Sequence, residues 1–359
     1  MKILVVQDYL RSGGTERQAC TLASAFADSG HQVMLMTFRP GGALSSLPSA
    51  RVQRLVLQKS DLGWDWYAPG LIRRAREFDP DGVLCMGRMA NCYGSFLAGR
   101  LRRAVVIATL RTGKVLPWLF RRSLRTVRHV VANSHETRDR VIAAGQATAD
   151  RVSVIHNSLV FTPAPPPSDQ DREEARRQRG AGPDTVVLLW VGMFRPEKNH
   201  RECLDLVARL PASLPWQFWL VGEGPTRAEL MRQTASRGLA DRVQFLGFMS
   251  NPTSLYPLAD LAVMTSRSES LSNFLIEAHA HGLPSLAYAA SGVSECGGTV
   301  VPMGDQTAFL AALEKRVADR EFRRQESCRV RQFARDAFSP DKQTRAYLDL
   351  FQKLHAPST

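Results

Sequence analysis

Residues 186–199 read VVLLWVGMFRPEKN. The first six are apolar without interruption, as a strand covered on both faces of a parallel sheet requires. Gly192 ends the run, Arg195 and Lys198 put two cations in the following loop, and a helix is expected to begin near Asn199. Strand, cationic loop and helix start suit an anion, because phosphate oxygens gain from Arg and Lys together and from N–H groups at a helix N-terminus. Taken alone, the stretch also reads as two surface cations in a loop.

The same alternation extends in both directions. Upstream, strands are expected at 3–6, 32–37, 52–57, 82–86, 105–110, 129–133 and 152–156, with helical patterns at 16–29, 67–78 and 137–144. Downstream, strands are expected at 216–221, 243–246, 261–264, 284–287 and 299–301, with helices at 203–210, 227–236 and 274–281. Strands alternating with helices imply right-handed crossovers and parallel sheets with helices on both faces. Residues 162–168, TPAPPPS, interrupt the series and suit neither a helix nor an inner strand. The chain therefore reads as two α/β, doubly wound, Rossmann-like domains facing across a cleft: 1–160, a connector at 161–183, and 184–338. A last helix at 341–354 follows Ser339-Pro340, and 341–359 are expected to cross back to the first domain. In such sheets ligands bind beyond the carboxyl ends of the strands.

Composition narrows the class. With 359 residues, 44% hydrophobic and 23% charged, the chain is an ordinary globular protein, not a disordered, collagenous or disulfide-stapled one. No apolar run reaches the roughly 18–20 residues of a membrane span. The opening MKILVVQDYL is broken by Asp8 too early for a signal peptide and reads as a first strand. Six scattered cysteines without a C-x-x-C pair suit a reduced, cytoplasmic protein. Charge is uneven: residues 1–160 carry 23 Lys and Arg against 11 Asp and Glu, whereas 161–359 carry 24 against 23. A basic first half points to a polyanionic partner. The richest stretch, 114–128, KVLPWLFRRSLRTVR, suits a peripheral contact with an anionic membrane at the inner face, or a core helix with solvated arginines. No helix-turn-helix, RNP or zinc signature accompanies the charge, so no nucleic acid is expected.

A second motif is SRSESLSNFLIE, residues 266–277. Glu269 falls in a Ser-rich loop and Glu277 one turn into the next helix, where a carboxylate can take paired sugar or ribose hydroxyls. The backbone N–H groups of Leu271, Ser272 and Asn273 stand at a helix start, where donors lack intrahelical acceptors and can hold a phosphate. A Ser/Asn cap with incidental glutamates reads equally well. Gly13-Gly14 and Gly222-Glu223-Gly224-Pro225 each follow a strand, and read either as ligand loops or as tight turns. Neither is G-x-G-x-x-G, and the second strand ends without an acidic ribose ligand, so a nicotinamide dehydrogenase is disfavoured. Asp79-Pro80-Asp81 and Asp169-Gln170-Asp171 match D-x-D only by chance positions. His279 and His281, two apart on a helix, face different ways, and no metal or other cofactor is expected.

In their order these motifs resemble the retaining glycosyltransferases of family 4, with the GT-B fold. The resemblance runs through Gly13-Gly14-x-Glu16, Gly30-His31-x-Val33, Ala132-Asn133-Ser134 and Val154-Ile155-x-Asn157. It continues through Arg195…Lys198, Leu220-Val221-Gly222-x-Gly224-Pro225, Arg242-Val243-x-Phe245-Leu246-Gly247, Glu269…Glu277 and Gly282-Leu283-Pro284. It implies that Arg195 and Lys198 bind the donor diphosphate, Glu277 the ribose hydroxyls and Glu269 the donor sugar. The N–H groups of Leu271, Ser272 and Asn273 would cradle phosphate, with Gly192 and Gly222 beside it and the Gly13-Gly14 loop closing over it. The nucleobase would sit near Phe248 and Met249.

Two positions depart from the pattern. Many members carry Arg directly after the first glycine of the second domain; here Met193 stands there and Arg195 is taken to fill the role. On the acceptor side some members place a histidine, whereas here the strand ends supply Asp8, Arg88, Arg111 and Asn133. The implied function is transfer of a sugar from a nucleotide-diphosphate sugar, UDP preferred and GDP possible, to a glycan or lipid-linked acceptor. A non-catalytic nucleotide-sugar-binding protein and a sugar-nucleotide epimerase of the same fold are the alternatives; the epimerase would need in-cleft acids that are not evident.

Overall fold

Each expected apolar run forms a strand, and six of them, 32–37, 105–110, 186–191, 216–221, 261–264 and 299–301, have the expected bounds. The computed structural model describes residues 1–113, 115–160, 163 and 165–355. Lys114 of the basic stretch, Phe161, Thr162 and Ala164 of the connector, and 356–359 of the tail lie outside the described residues. The chain divides into two compact units, residues 1–160 with 339–359, and 161–338.

The first unit contains β1 (Lys2–Gln7), α1 (Gly14–Asp28), β2 (Gln32–Thr37), β3 (Gln53–Val56), α2 (Leu71–Phe78), β4 (Gly82–Cys85), α3 (Arg88–Cys92) and α4 (Gly94–Arg100). It continues with β5 (Val105–Leu110), α5 (Trp118–Thr126), β6 (His129–Ala132), α6 (His135–Ala143) and β7 (Val152–Val154). These strands form a seven-stranded parallel sheet in the order β3-β2-β1-β4-β5-β6-β7. Buried side chains cover both faces, Val6, Met36 and Val83 on one, Ile3, Val5 and Leu35 on the other. The strand sequences are accordingly apolar throughout rather than alternating.

The second unit contains α7 (Asp169–Arg177), β8 (Val186–Val191), α8 (His200–Val207), β9 (Trp216–Val221), α9 (Arg227–Ser236), β10 (Val243–Gly247) and β11 (Leu261–Met264). Then follow α10 (Asn273–Ala280), β12 (Ser285–Tyr288), β13 (Thr299–Val301), α11 (Gln306–Ala318) and α12 (Arg320–Ala337). Its six-stranded parallel sheet runs β10-β9-β8-β11-β12-β13.

The last helix, α13 (Pro340–His355), packs within the first unit, with Tyr347 and Phe351 fully buried beside Ile3, Val5 and Phe26. The charged part of the expected connector is corrected: 169–177 is a helix of the second unit, not a bare linker. Ser168 caps it by accepting from the Asp171 N–H at 3.1 Å. Arg172 and buried Arg176 both reach the Asp260 carboxylate, at 2.8 and 2.9 Å, and Asp260 also accepts from the Val187 N–H at the start of β8.

Candidate functional site

In each unit the strand order reverses once: the chain runs outward from the central strand, then returns to pair on its other side. The crevice opens there, at the carboxyl ends of the two central strands. In the second unit those strands are β8 and β11. The loop 192–199 leaves β8 and the loop 265–272 leaves β11, so topology alone brings the two sequence motifs together. Lys198 Nζ donates to Glu269 Oε1 at 2.7 Å, with both side chains partly shielded. The Arg267 N–H donates to the Glu197 carbonyl at 2.9 Å, and Thr265 Oγ1 to the Asn199 carbonyl at 2.9 Å, stitching loop to loop.

Lys198 is carried on a 3-10 turn, Pro196–Lys198, that ends at Asn199 in the left-handed conformation, φ 56°. Glu202, which sequence reading passed over, holds that strained residue: Asn199 Nδ2 donates to one of its oxygens, and the Tyr288 hydroxyl to the other at 2.8 Å. Burial works to raise the Glu202 carboxyl, yet donors from Tyr288, Asn199 and Gln306, with Arg267 nearby, hold it below its ordinary value. His200 follows, packed 4.0 Å face to face on Trp190 and edge-on to Phe194. Burial, with the charge of Lys198 adding to it, pushes its pKa down to about 3, so it is a neutral flat spacer under the loop. Arg195 is half-buried, and among the described residues no group accepts a hydrogen bond from its guanidinium.

Gly222 and Gly224 owe their identity to close approach. Their φ angles are 143° and 155°, and a Cβ at either would stand 1.9 Å from the Gly192 carbonyl or 2.3 Å from that of Phe194. The loops are also cross-bonded, Phe194 N–H to Glu223 O at 2.9 Å and Gly222 N–H to Gly247 O at 2.8 Å. The G-x-G-P motif thus sets the position of the Gly192–Arg195 backbone. Met193 and Phe248 are exposed and Met249 is half-buried.

Ser272 caps α10, its Oγ accepting from the Leu275 N–H at 3.4 Å. Leu271, Ser272 and Glu277 are buried. The Tyr256 hydroxyl, a partner absent from the sequence motif, donates to Glu277 Oε2 at 2.7 Å and orients that carboxylate. His279 is occupied structurally, one ring nitrogen 2.8 Å from the Cys296 carbonyl and the other 2.8 Å from Ser285 Oγ.

In the first unit the reversal lies between β1 and β4. Gly13 is the N-cap position of α1, which begins at Gly14. Of the four acceptor-side residues, Asp8, Arg111 and Asn133 directly follow β1, β5 and β6, whereas Arg88 opens α3, past the end of β4. Asp8 is buried and accepts from the N–H groups of Met89 and Ala90, at 2.9 and 2.5 Å, at the start of α3. Burial outweighs those donors and pushes its carboxyl up to about 7. Arg111 bonds Asn157 and, at 2.7 Å, the Tyr347 hydroxyl of α13. Arg88 donates to the Val115 carbonyl at 2.8 Å. Asn133 is buried, its N–H donating to the Leu110 carbonyl. All four thus make bonds within the fold that the sequence could not show.

The comparisons with known proteins agree with this architecture. Residues 12–160 match the family described as Glycosyltransferase Family 4, and residues 185–319 match Glycosyl transferases group 1. The lipopolysaccharide core biosynthesis glycosyltransferase LpsD of Rhizobium meliloti is 30% identical over 207 residues, 56% of this chain and 57% of that protein. The 2-deoxystreptamine N-acetyl-D-glucosaminyltransferase of Streptomyces fradiae is 27% identical over 353 residues, 86% of this chain and 83% of that one. Against the first three curated relatives, the matches span only 50% to 57% of the relatives' own length. The fold superposes on Anabaena Alr3699/HepE, a structure in complex with UDP, with a TM-score of 0.81 at 22% identity, over 98% of this chain and 100% of that one. Two Rossmann-like parallel sheets, the first matched by Glycosyltransferase Family 4 and the second by Glycosyl transferases group 1, make this chain a glycosyltransferase of these families with the GT-B fold.

Proposed function

We propose that the chain is a retaining glycosyltransferase that moves a sugar from a nucleotide-diphosphate sugar to a glycan or lipid-linked acceptor in cell-surface polysaccharide or lipopolysaccharide assembly. The observation that carries this reading is the cluster between β8 and β11, where Lys198 meets Glu269 at 2.7 Å, in one loop with Arg195, which has no acceptor among the described residues, and near the Ser272-capped start of α10. UDP is the preferred nucleotide, supported by the UDP complex of HepE, with GDP as the alternative. The lipopolysaccharide assignment draws support from the name of LpsD.

In this reading the donor diphosphate takes the two cations, and Lys198 exchanges its bond to Glu269 for a phosphate oxygen. Glu269 then turns to the donor sugar, and Glu277, oriented by Tyr256, takes the ribose hydroxyls. The acceptor hydroxyl attacks the anomeric carbon on the face from which the diphosphate leaves. The glycosidic C–O bond breaks with its electron pair going to the phosphate oxygen, which takes the acceptor's proton. No enzyme base is required, and stabilising the departing diphosphate carries the catalysis.

Peripheral contact with an anionic membrane belongs to the same proposal. In the 115–128 stretch Phe120 and Leu124 face the core, while Val115 and Trp118 are exposed beside Arg121, Arg122 and Arg125. Pelleting with anionic vesicles at low salt checks it, and failure to pellet would remove it. The main test is release of nucleoside diphosphate from a panel of nucleotide sugars, with the product's anomeric configuration read by NMR. Retention, lost in Lys198→Ala, is expected; turnover undiminished in that variant would refute the role of the cluster.

A further inference from the structure

The loop between β3 and α2 presents an aromatic face that the donor chemistry leaves unused. Trp64 and Trp66 are half exposed, and Tyr67 and Leu62 are also exposed. Large apolar side chains gathered in one loop and left in water are informative, since folding alone gives no reason for them. The indoles of Trp64 and Trp66 stand parallel, 5.6 Å apart at 13°, and the Tyr67 ring meets both edge-on at 6.1 and 6.0 Å.

The loop is held in place by groups other than the rings. Buried Gln58 donates through Nε2 to the carbonyls of Trp64 and Tyr67, at 2.9 and 2.7 Å. The Tyr93 hydroxyl donates to the Trp66 carbonyl at 2.6 Å. Asp65 accepts from Arg11 and Arg39, both at 2.7 Å, and Asp61 accepts from Arg39 at 2.8 Å. A rigid aromatic surface binds with little loss of side-chain freedom. Arg11 leaves β1 just before Ser12-Gly13-Gly14, so the face lies at the carboxyl edge of the sheet, where ligands of this fold class bind.

The geometry points to a saccharide platform: the Trp64–Trp66–Tyr67 face binds the neutral sugar of the acceptor, an assignment that rests on the glycosyltransferase reading. A pyranose has a C–H face that stacks on an electron-rich ring and a rim of hydroxyls that both donate and accept. The rings match the first, and the carboxylates of Asp61 and Asp65 with the guanidinium of Arg11 match the second. Two arginines closed by two aspartates leave little net charge at the rim. An anionic lipid surface gains nothing from such a rim, whereas a neutral polyhydroxyl ligand fits it.

The test is saturation-transfer NMR of the full chain with the methyl glycosides of glucose, galactose and N-acetylglucosamine. Transfer concentrated on the C–H protons of one sugar face is expected for at least one glycoside, lost in Trp66→Ala and kept in Trp66→Phe. No transfer to any of the three, or equal transfer in Trp66→Ala, overturns the assignment. So does a tryptophan emission shift with phosphatidylglycerol vesicles that Trp66→Ala abolishes in the absence of glycoside binding, which would make the face a lipid contact. A UDP-induced rise in melting temperature, measured on the same samples, reports the donor reading separately. If Trp66→Ala retains that rise, it is folded. If glycosides bind while UDP gives no rise, the face is a sugar-binding surface, but its assignment to an acceptor is overturned together with the glycosyltransferase reading.

Discussion

Lys198 and Arg195 differ in what they do before any donor arrives: one is bonded to Glu269, the other has no acceptor among the described residues. Removing either as alanine should cost on the order of 10²–10³ in turnover, the usual effect of losing one donor to a developing anion. A loss confined to KM would mean that the cation only binds. Asp8 makes a different prediction. Its carboxyl is pushed up to about 7 by burial, against an unfolded value of 3.8, so the folded chain holds a proton that the unfolded chain releases. The stability this group contributes is complete below the unfolded value and is lost as pH rises through 7. Between pH 5 and 8 the wild-type melting temperature should fall relative to that of Asp8→Asn; a constant difference would show that Asp8 is ionised throughout. Gly224→Ala should cost a few kcal/mol, because its Cβ would press on the Phe194 carbonyl at a φ of 155°. Urea denaturation measures it directly.

At the scale of elements, most of the fold was legible. Strands covered on both faces leave uninterrupted apolar runs, and β8, with VVLLWV, carries no ambiguity about where it begins or stops. The α7 helix was hidden because nine residues with seven charges read as a connector, although Ser168 three positions before Asp171 is a cap signal. What decides its docking is Asp260, 84 residues away from Arg176, and no local pattern reports that. The site shows the same divide. Where Arg195, Lys198, Glu269 and Glu277 fall on the fold could be read, since the first three lie in loops that follow strands and the last one turn into α10. Tyr256 and Glu202 were not, because they act through contacts between elements distant in sequence. Asp8 was readable as a strand-end carboxylate but not as the buried cap of α3. The α13 helix gives the element-scale prediction. A chain ending at Ser339 loses Tyr347, Leu350 and Phe351 from the first unit's core, at about 1.5–3 kcal/mol for each buried side chain. Its thermal transition should drop sharply or vanish; an unchanged transition would mean that α13 only decorates the surface.

At the scale of the whole molecule, three histidines are buried and neutral, His129 in the first unit and His200 and His279 in the second. Burial lowers them from 6.5 to about 4, 3 and 4. The unfolded chain takes up these protons below 6.5 and the folded chain does not, so their contribution is whole above 6.5 and is lost as pH falls. Each can remove up to about 1.4 kcal/mol per pH unit over that window. Calorimetry should show both units melting earlier between pH 6.5 and 4.5, and acid-insensitive melting would contradict the burial of these rings. The central claim, however, is that the second unit holds a nucleoside diphosphate between the loops that leave β8 and β11. A ligand that binds only the folded state must raise the melting temperature. The most direct measurement is a thermal-shift series of the full chain with UDP, GDP, ADP, CDP and TDP, repeated in Glu277→Ala. A clear rise with one nucleotide, UDP above the others, abolished in the variant, is the predicted result. No rise with any of the five would contradict the claim and leave a glycosyltransferase fold without a donor site.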